Sequence, residues 1–493
     1  MRAITMNLLA CAMTIALGGC VVGPDYKRPD TPQAKGYTPT PLPAATDTAP
    51  VGGGNAQRLV EGMDIPGQWW TLFHSEALNA LIDDALKHNA DLTAAKAGLR
   101  AAWENVYAQR GAYFPVVTTG LNPTRQKIAK DLASPAASGE SMYSLTTAQV
   151  SVSYTPDLWG GNRRQVESLM AQADAQRFEL EATYLTLTSN VVNAAIQEAS
   201  LRAQIAAQEQ IVASQQSIVD SFQRQHALGQ ASDLDVAAQV AALEQSRAAL
   251  PPLQKQLSQQ RDLLAALTGR MPDDQIDAKF ELDGLQLPEE LPVSLPASLV
   301  NQRPDVRAAD AQLHAASAQV GVAIANRLPN VQINATLGSA STKASELFHG
   351  GSGFWNIGGS VTQPLFDGGN LKHKQRAAEA AYQQSIATYR STVIAAAQNV
   401  ADVLHAIQLD ATALAATQRA DSAAQHSFDV AQRQLALGDV SQVAMLNALV
   451  TRQQALMALA QARAGRYSDT AALFQALGGG WWHRDDAAVS KAK

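Results

Sequence analysis

The stretch that decides the fold spans residues 162–228 and reads NRRQVESLMAQADAQRFELEATYLTLTSNVVNAAIQEASLRAQIAAQEQIVASQQSIVDSFQRQHAL. It contains neither proline nor glycine, the residues that most often interrupt a helix. A single helix of about 65 residues is about 100 Å long, because each residue adds about 1.5 Å. The stretch 370–437 is equally free of both residues, so the sequence predicts two such helices.

Apolar residues recur at steps of seven along both predicted helices. The second helix carries Ile386, Val393, Val400, Ile407 and Leu414, with Tyr389 and Val403 at interleaved positions. The first helix carries Ile205, Val212 and Val219, and a second series at Ile211 and Ile218. A narrow apolar seam on a surface rich in alanine and glutamine is typical of coiled-coil packing. We therefore expect each long helix to pack against neighbouring helices along this seam.

The second half of the chain repeats the first at an offset of about 210 residues. The matching landmarks are Phe114-Pro115 with Leu328-Pro329, Gly160-Gly161-Asn162 with Gly368-Gly369-Asn370, and Ala227-Leu228-Gly229 with Ala436-Leu437-Gly438. A unit of this length must hold several secondary elements. The chain is therefore predicted to consist of two tandem structural repeats.

Each long helix ends at a glycine that is followed by a polar turn, the pattern of one helix ending and another beginning. A returning helix is predicted at 233–268 in the first repeat and at 441–477 in the second. A short helix is predicted ahead of the strands, at 81–110 and at 303–327. A short helix and a returning helix, placed end to end, have about the same length as the long helix. Each repeat is therefore expected to supply two helical rods.

Two segments in each repeat alternate apolar with polar residues, the pattern of a strand with one apolar face. They lie at 117–121 and 150–154, and at 331–337 and 355–362. No other segment has enough apolar residues to cover these faces, which favours lipid as their surroundings, as in outer-membrane barrels. The connections rich in serine, alanine and glycine, 125–143 and 338–353, are then expected to be extracellular loops.

Four aromatic residues flank the predicted strands. Phe114, Trp159 and Phe366 lie where helix meets strand, and Trp355 begins the last strand at the opposite end. Two aromatic levels around an apolar band are typical of the interfaces of a membrane. These four residues are therefore the predicted membrane-interface aromatics.

Four strands cannot form a closed barrel alone, and unpaired strand edges in lipid cost several kcal/mol per backbone group. Three chains would supply twelve strands, which leaves room for an aqueous lumen. The predicted fold class is an α+β membrane protein: a trimeric 12-stranded β-barrel with four strands per chain, continued by a periplasmic α-helical coiled-coil tunnel.

The N-terminus has the pattern of a secretory signal peptide at residues 1–19, with Arg2 ahead of an apolar run at 8–17. The run ends in Leu-Gly-Gly followed by Cys20, which resembles the lipobox of bacterial lipoproteins. Cys20 is therefore the predicted lipidation site, and its covalent lipid is the only cofactor expected. Val21, rather than Asp, at the next position resembles the rule that sends lipoproteins to the outer membrane.

Composition argues against several other functions. The net charge of −6 is mild and the chain has no cluster of lysine and arginine, so nucleic acid is not an expected partner. The sequence has no GxSxG, HExxH or P-loop motif and no metal-spaced set of cysteine and histidine. An enzyme is therefore not expected, and neither catalytic residues nor a metal site are predicted.

Three motifs carry a resemblance to a known family. They are the segment 20–26, CVVGPDY, the pair Trp69-Trp70 with Phe73, and the segment 303–307, RPDVR. Together they resemble the TolC-like outer-membrane efflux factors, in particular their lipoprotein branch, described as NodT-like or OprM-like. The resemblance implies the exit duct of a tripartite efflux pump, which passively conducts drugs or other toxic small molecules out of the Gram-negative cell. Its implied partners are two further copies of the chain, a periplasmic adaptor and an inner-membrane transporter of the RND or major-facilitator type.

In that family the tips of the helical hairpins close the periplasmic end of the duct. The matching segments are 229–235, called tip 1 below, and 438–447, called tip 2. The resemblance implies adaptor docking around Gly229 and Gly438. The candidate gate residues are Asp233, Asp235, Asp439 and Asn447. A plain helix-capping role for Asp233 is the alternative, and some relatives carry an aspartate pair where this chain has Ala444 and Asn447.

The predicted organisation is a signal peptide at 1–19, a lipidated tether at 20–75, repeat 1 at 76–270, a proline-rich linker at 271–302, repeat 2 at 303–479 and a polar tail at 480–493. Two alternatives to a channel are a periplasmic adaptor lipoprotein and a coiled-coil scaffold of the envelope. An adaptor has a single hairpin, and a scaffold leaves the alternating strands unexplained. The identity of the cargo is not encoded in any motif of the chain.

Overall fold

The computed structural model describes residues 21–30, 36–129, 131, 141–274, 276–294 and 296–484. Its helices are α1 Glu76–His88, α2 Ala90–Arg110, α3 Gly161–Ala227, α4 Asp233–Ala248, α5 Leu250–Leu267, α6 Pro296–Gln302, α7 Pro304–Ala325, α8 Asn370–Leu437 and α9 Gln442–Ala476. Its strands are β1 Arg58–Glu61, β2 Val116–Lys127, β3 Met142–Tyr154, β4 Glu290–Val293, β5 Asn330–Ser341 and β6 Gly353–Thr362. None of the described helices is both long and apolar enough to cross a membrane.

The chain divides into two compact units. The first comprises Met1–Pro29, Leu99–Ala175 and Ala309–Tyr389. The second comprises Asp30–Gly98, Gln176–Ala308 and Arg390–Lys493. The four long strands fall in the first unit, and the ends of both helical hairpins fall in the second.

The first unit is built around a four-stranded antiparallel sheet in the order β2-β3-β5-β6. The predicted strands are all present, and each is longer than its alternating core. Strand β2 continues to Lys127 and β5 continues to Ser341, so both predicted loops were placed too early in the sequence. Strand β3 begins at Met142, so the first predicted loop also ends too late. The ladder extends through pairs of polar residues such as Arg125 with Ser144, because backbone pairing needs no apolar side chain.

Both long helices form as predicted. Helix α3 spans 67 residues and α8 spans 68. In the seam of α8, Val400, Ile407 and Leu414 are buried, whereas Val403 is only half-buried and Leu404 takes the buried place beside it. A straight helix drifts by about 20° per heptad from a strict step of seven, which moves the buried position by one residue.

Two predicted single helices are broken in the structure. The helix predicted at 81–110 is interrupted at Asn89, whose extended backbone ends α1 and whose side chain accepts a hydrogen bond from Leu92 N at 3.0 Å. The helix predicted at 233–268 is interrupted at Ala249, where α4 ends and α5 begins. The break precedes Pro251 and Pro252, which have no N–H to continue the helical ladder.

The core of the second unit includes the tryptophan pair of the sequence motif. Trp69, Trp70 and Phe73 are fully buried in one short 3-10 turn. The ring of Trp69 stacks on Phe474 of α9 with centroids 5.4 Å apart. The predicted tether and the predicted linker also meet in this unit, because β1 pairs in parallel with β4 and Arg58 lies opposite Glu290.

Candidate functional sites

The sheet of the first unit has one continuous apolar face, called the apolar sheet face below. Its register places Val117, Val152, Ala335 and Ile357 in one row across the four strands. The next row of the same face contains Thr119, Val150, Leu337 and Trp355. Leu337, Trp355 and Ile357 are 66%, 73% and 71% exposed. The alternation predicted strand by strand is therefore brought into a single surface that needs an apolar environment.

The opposite face of the same sheet is polar. One row contains Thr118, Ser151, Thr336 and Asn356, which are paired across the four strands. The edge strands are β2 and β6. A sheet with one apolar face, one polar face and two edges is suited to closing with further copies around water.

The four predicted interface aromatics occupy different surroundings. Phe114 and Phe366 are exposed, as is Trp355 in the apolar sheet face. Trp159 is half-buried, and its Nε1 donates a hydrogen bond to the carbonyl of Pro329 at 2.8 Å. Three of the four side chains are therefore exposed on the surface of the chain. The fourth, Trp159, is half-buried and holds the turn that leads into α3.

Tip 1 is a compact turn between α3 and α4. Gly229 has φ 72°, the left-handed conformation that ends a helix. Ser232 is the N-cap residue of α4, and its Oγ accepts a hydrogen bond from Asp235 N at 3.2 Å. Asp235 returns the interaction by accepting from Ser232 N at 3.0 Å. The cap is therefore formed by Ser232 and Asp235, and Asp233 does not take the alternative capping role.

The charges of tip 1 are exposed. Asp233 is almost fully exposed, and its Oδ1 lies 3.4 Å from His226 Nε2. The other ring nitrogen of His226 lies 3.0 Å from the carbonyl oxygen of Ala231. Hydrogen bonds from the Ser232 side chain, and then from its backbone N–H, hold the pKa of Asp235 below its usual range.

Tip 2 has the same plan with fewer acidic groups. Gly438 has φ 80°, and Ser441 caps α9 by accepting a hydrogen bond from Ala444 N at 3.2 Å. Asp439 and Asn447 are both exposed. The first turn of α9 contains no acidic residue, whereas the first turn of α4 contains two.

The two hairpins lie side by side near their tips, since Ser221 Oγ of α3 donates a hydrogen bond to Gln442 Oε1 of α9 at 2.9 Å. Three leucines that the sequence did not single out are exposed beside the tips: Leu228 (73%), Leu234 (78%) and Leu437 (77%). Leu228 and Leu437 hold equivalent places in the two repeats, immediately before the glycine. The repeat itself was the signal that could have identified them.

The segment 21–28 that follows Cys20 is bound against α3 and α7. Arg164 of α3 donates to Asp25 Oδ1 at 2.6 Å, to Glu167 Oε2 at 2.7 Å and to the carbonyl of Val22 at 3.2 Å. Val22 N in turn donates to the carbonyl of Trp159 at 3.2 Å. Cys20 itself lies outside the described residues, so the structure places only the peptide beside it.

Tyr26 holds the same segment against α7. Its ring stacks on His314 with centroids 4.4 Å apart, and its hydroxyl donates a hydrogen bond to Asp310. Burial, together with the hydrogen bond to Asp310 and its charge, raises the pKa of Tyr26. Arg28 lies 3.0 Å from the same carboxylate. This polar site was not predicted, since its members lie in segments far apart in the sequence.

Aspartates at equivalent places cap both long helices. Asp157 accepts hydrogen bonds from the N–H groups of Asn162 and Arg163 at 3.0 and 2.9 Å. Asp367 accepts from Gly369 N and Leu371 N, both at 2.8 Å. Each cap fixes the point at which a strand of the sheet gives way to a long helix.

Within the described ranges, no group of three or more histidine, cysteine, aspartate or glutamate side chains is arranged to hold a metal ion. The described surfaces instead comprise an apolar sheet face suited to lipid, a polar sheet face suited to water and exposed tips suited to a partner.

The family model for the outer membrane efflux protein matches residues 81–270 and 295–479. The toluene efflux pump outer membrane protein TtgC of Pseudomonas putida is 29% identical over 489 residues, which cover 99% of this chain and 98% of the relative. The pyoverdine export outer membrane protein OpmQ of Pseudomonas aeruginosa is 29% identical over 417 residues, covering 84% and 87%. The solved outer-membrane channel OprN superposes with a TM-score of 0.81 at 26% identity, covering 94% of this chain and 100% of that one.

These findings confirm the predicted fold class, in which one chain supplies four strands and two helical hairpins to a trimeric channel with a β-barrel and a helical tunnel. They also confirm the predicted role in a tripartite efflux pump, the outer-membrane location and the partners of such a channel. The family consists of channels rather than enzymes. The chain belongs to the outer membrane efflux protein family.

Proposed function

We propose that the trimer of this chain passively conducts drugs and other toxic small molecules, without selecting the cargo itself. The observation that carries the proposal is the sheet with one apolar and one polar face, whose edges β2 and β6 are free to pair with neighbouring chains. A polar inner face lets hydrated molecules pass and offers no site built for one of them. The choice of cargo then rests with the inner-membrane transporter.

The breadth of the relatives supports an unselective duct. Two relatives that are each 29% identical to the chain are named for different cargoes, one for toluene efflux and one for pyoverdine export. Deletion of the gene, followed by susceptibility tests with antibiotics, solvents, organic acids and metal ions, identifies the cargo class. Planar-bilayer recordings of the purified trimer test conduction directly, and a trimer without ohmic conductance would contradict the proposal.

We further propose that the two tips form the periplasmic gate, with Asp233 and Asp439 as charged constriction residues. Asp233 supports this role because it is exposed and takes no part in the helix cap. The double variant Asp233→Ala with Asp439→Ala is expected to raise single-channel conductance. Asp273→Ala, which removes an exposed charge from the linker, serves as the matched control. Unchanged conductance in the double variant would remove these residues from the gate.

Adaptor docking is proposed at the turns of Gly229 and Gly438. A photo-crosslinking residue at Leu228 or Leu437 tests it, because both side chains are exposed beside these glycines. Crosslinks to the adaptor are expected from both positions and not from Leu263, an exposed leucine within α5. Equal crosslinking from all three positions would contradict docking at the tips.

The covalent lipid is proposed on Cys20. The proposal gains support from the bound segment 21–28, whose Val21 lies against the turn between β3 and α3: a Cβ built on Gly160 would be 3.0 Å from Val21 Cα. A lipid on the preceding residue would then start next to the sheet. Incorporation of radiolabelled palmitate is expected in the natural chain and lost in Cys20→Ala, and labelling that survives the substitution refutes the site.

A further inference from the structure

A buried arginine in the second unit has no carboxylate in direct contact with it among the described residues. Arg466 of α9 is 1% exposed. Its Nη2 donates hydrogen bonds to Thr46 Oγ1 at 2.9 Å and to the carbonyl of Asn55 at 2.6 Å. Its Nη1 is buried without a hydrogen-bond partner among the described residues. Burial of a cation whose hydrogen-bond acceptors are all neutral is unfavourable in free energy. A negatively charged group is therefore expected nearby.

A carboxyl group lies about one helical turn away, at Asp469. The carboxyl group of Asp469 of α9 faces that of Asp410 of α8 within hydrogen-bonding reach. Asp410 lies directly against the backbone of α9, since a Cβ built on Gly465 would be 2.9 Å from its Oδ2. An ionised carboxylate can only accept hydrogen bonds, so two carboxyl groups bond to each other only while they share a proton.

The surroundings favour retention of that proton. Burial, followed by the hydrogen bond and the charge of Asp410, raises the pKa of Asp469 to about 7. The other titratable groups that face the site are Arg466 and Tyr467 on α9 and Asp47 on the N-terminal segment. The charges of Asp410 and Asp47 both act on the guanidinium of Arg466.

A polar cleft lies beside the same part of α9. Gly465 lines this cleft, which has a volume of about 580 Å³ and lies between α3, α5 and α9. The cleft is lined mainly by amide groups, including Gln204, Gln260 and Gln461. We expect a proton shared by the two carboxyl groups to exchange with water by way of this polar cleft.

We propose that Asp410, Asp469 and Arg466 form a proton-dependent clasp that joins α8, α9 and the segment 46–57. With the proton bound, the carboxyl pair holds α8 against α9 at Gly465. When the proton leaves to water, two adjacent carboxylates repel each other and the Asp410 carboxylate turns to Arg466 Nη1. The clasp opens as pH rises, and it acts on the hairpin that ends in tip 2. The proposed clasp does not depend on which cargo the channel conducts.

The protonated pair has a direct spectroscopic test. In infrared titration of the solubilised trimer, we expect the C=O band of a protonated carboxylic acid to vanish as pH rises through about 7. Asp469→Asn should remove this band, because the amide donates permanently to Asp410. Asp402→Asn is the matched control, since Asp402 is an exposed carboxylate of α8, the helix of Asp410, and accepts a hydrogen bond from Gln398. A band that persists in Asp469→Asn, or is absent from the natural chain near pH 6, overturns the proposal.

Thermal stability gives an independent readout. Because the pKa of Asp469 is raised in the folded chain, the stabilisation is present at low pH and is lost as pH rises from about 4 through about 7. The Tm of the natural trimer should therefore fall by several degrees over this range, while that of Asp469→Asn should fall clearly less. An equal fall in the two proteins, with Asp402→Asn as reference, contradicts the clasp.

Gly465→Ala keeps every titratable group and displaces only the Asp410 carboxylate. Because Asp469 then loses both its hydrogen bond and its charged neighbour, the infrared band should disappear at a lower pH than in the natural chain. This variant keeps the proposal testable if Asp469→Asn fails to assemble. A titration midpoint equal to that of the natural chain would show that Asp410 does not set the protonation of Asp469.

Discussion

Gly23 lies against Gly321 with no room for a side chain between them: a Cβ built on Gly23 would be 2.4 Å from Gly321 Cα. A Cβ on Gly321 would in turn lie 2.9 Å from the carbonyl oxygen of Val22 and 2.8 Å from Arg164 Cγ. Two glycines far apart in the sequence thus allow the segment after Cys20 to lie flat on α7. This contact holds the segment that directly follows the proposed lipidation site Cys20.

Gly321→Ala is expected to displace the segment 21–28 from α7. The new methyl group meets backbone atoms of Val22, which cannot rotate away, so the segment should become more accessible to protease. Gly98→Ala is the matched control, because Gly98 also lies inside a helix and its Cβ would meet only the side chain of Gln176, at 3.4 Å. Alanine favours the helix at both sites by about 0.5–1 kcal/mol, so propensity does not separate them. Equal proteolysis of the two variants would show that the glycine contact does not hold the segment.

Asp157→Ala is expected to fray the first turn of α3. The change leaves the N–H groups of Asn162 and Arg163 without their carboxylate, and loss of such a cap costs about 1 kcal/mol. Hydrogen exchange of the peptide that begins at Gly161 should accelerate, while peptides from the middle of α3 should not change. Asp157→Asn should restore most of the protection, since asparagine caps about as well. Equally fast exchange in the Asn and Ala variants would point to a role for the charge beyond capping.

The long helices and the strands were predictable because their signals are local. Absence of proline and glycine fixed the bounds of α8, and alternation identified the strand that contains Leu337. The break at Ala249 was visible in Pro251-Pro252, although a single helix was predicted at 233–268. Gln208 of α3 compensates for the break by donating to the carbonyl of Ser246 at 2.8 Å.

The sites themselves were only partly predictable. The tips were located, because glycines and helix starts are local features, although the part of Asp235 in the cap of α4 was not predicted. The clasp around Arg466 and the bound segment at Gly321 depend on pairs of residues more than 50 positions apart. Such contacts follow from tertiary packing and leave no periodic trace in a single sequence.

The capping box of tip 1 predicts how α4 responds to acid. The pKa of Asp235 is lowered by its bonds to Ser232, so the cap is present above the ordinary carboxyl pKa of about 3.8 and is lost as pH falls below it. Tip 1 should therefore stay capped at any pH from about 5 to about 8. Asp235→Ala should produce, at neutral pH, the frayed first turn of α4 that the natural chain shows only in strong acid. Hydrogen exchange of the peptide 232–240 measures this, and protection equal to that of the natural chain would argue against the cap.

Neighbouring residues of β5 offer the sharpest test of which sheet face meets lipid. Leu337 belongs to the apolar sheet face, in the row with Val150 and Trp355, whereas Thr336 pairs with Ser151 on the polar face. An arginine at the bilayer midplane on the lipid side costs about 2–4 kcal/mol per chain, while one on the inner side stays in water. Leu337→Arg should therefore reduce the yield of folded trimer in the outer membrane, measured by heat-modifiable migration in gels. Thr336→Arg should assemble normally and instead shift the ion selectivity of the pore towards anions in planar bilayers. The reverse pattern, with Leu337→Arg tolerated and Thr336→Arg excluded from the membrane, would mean that the sheet is inserted with its faces exchanged.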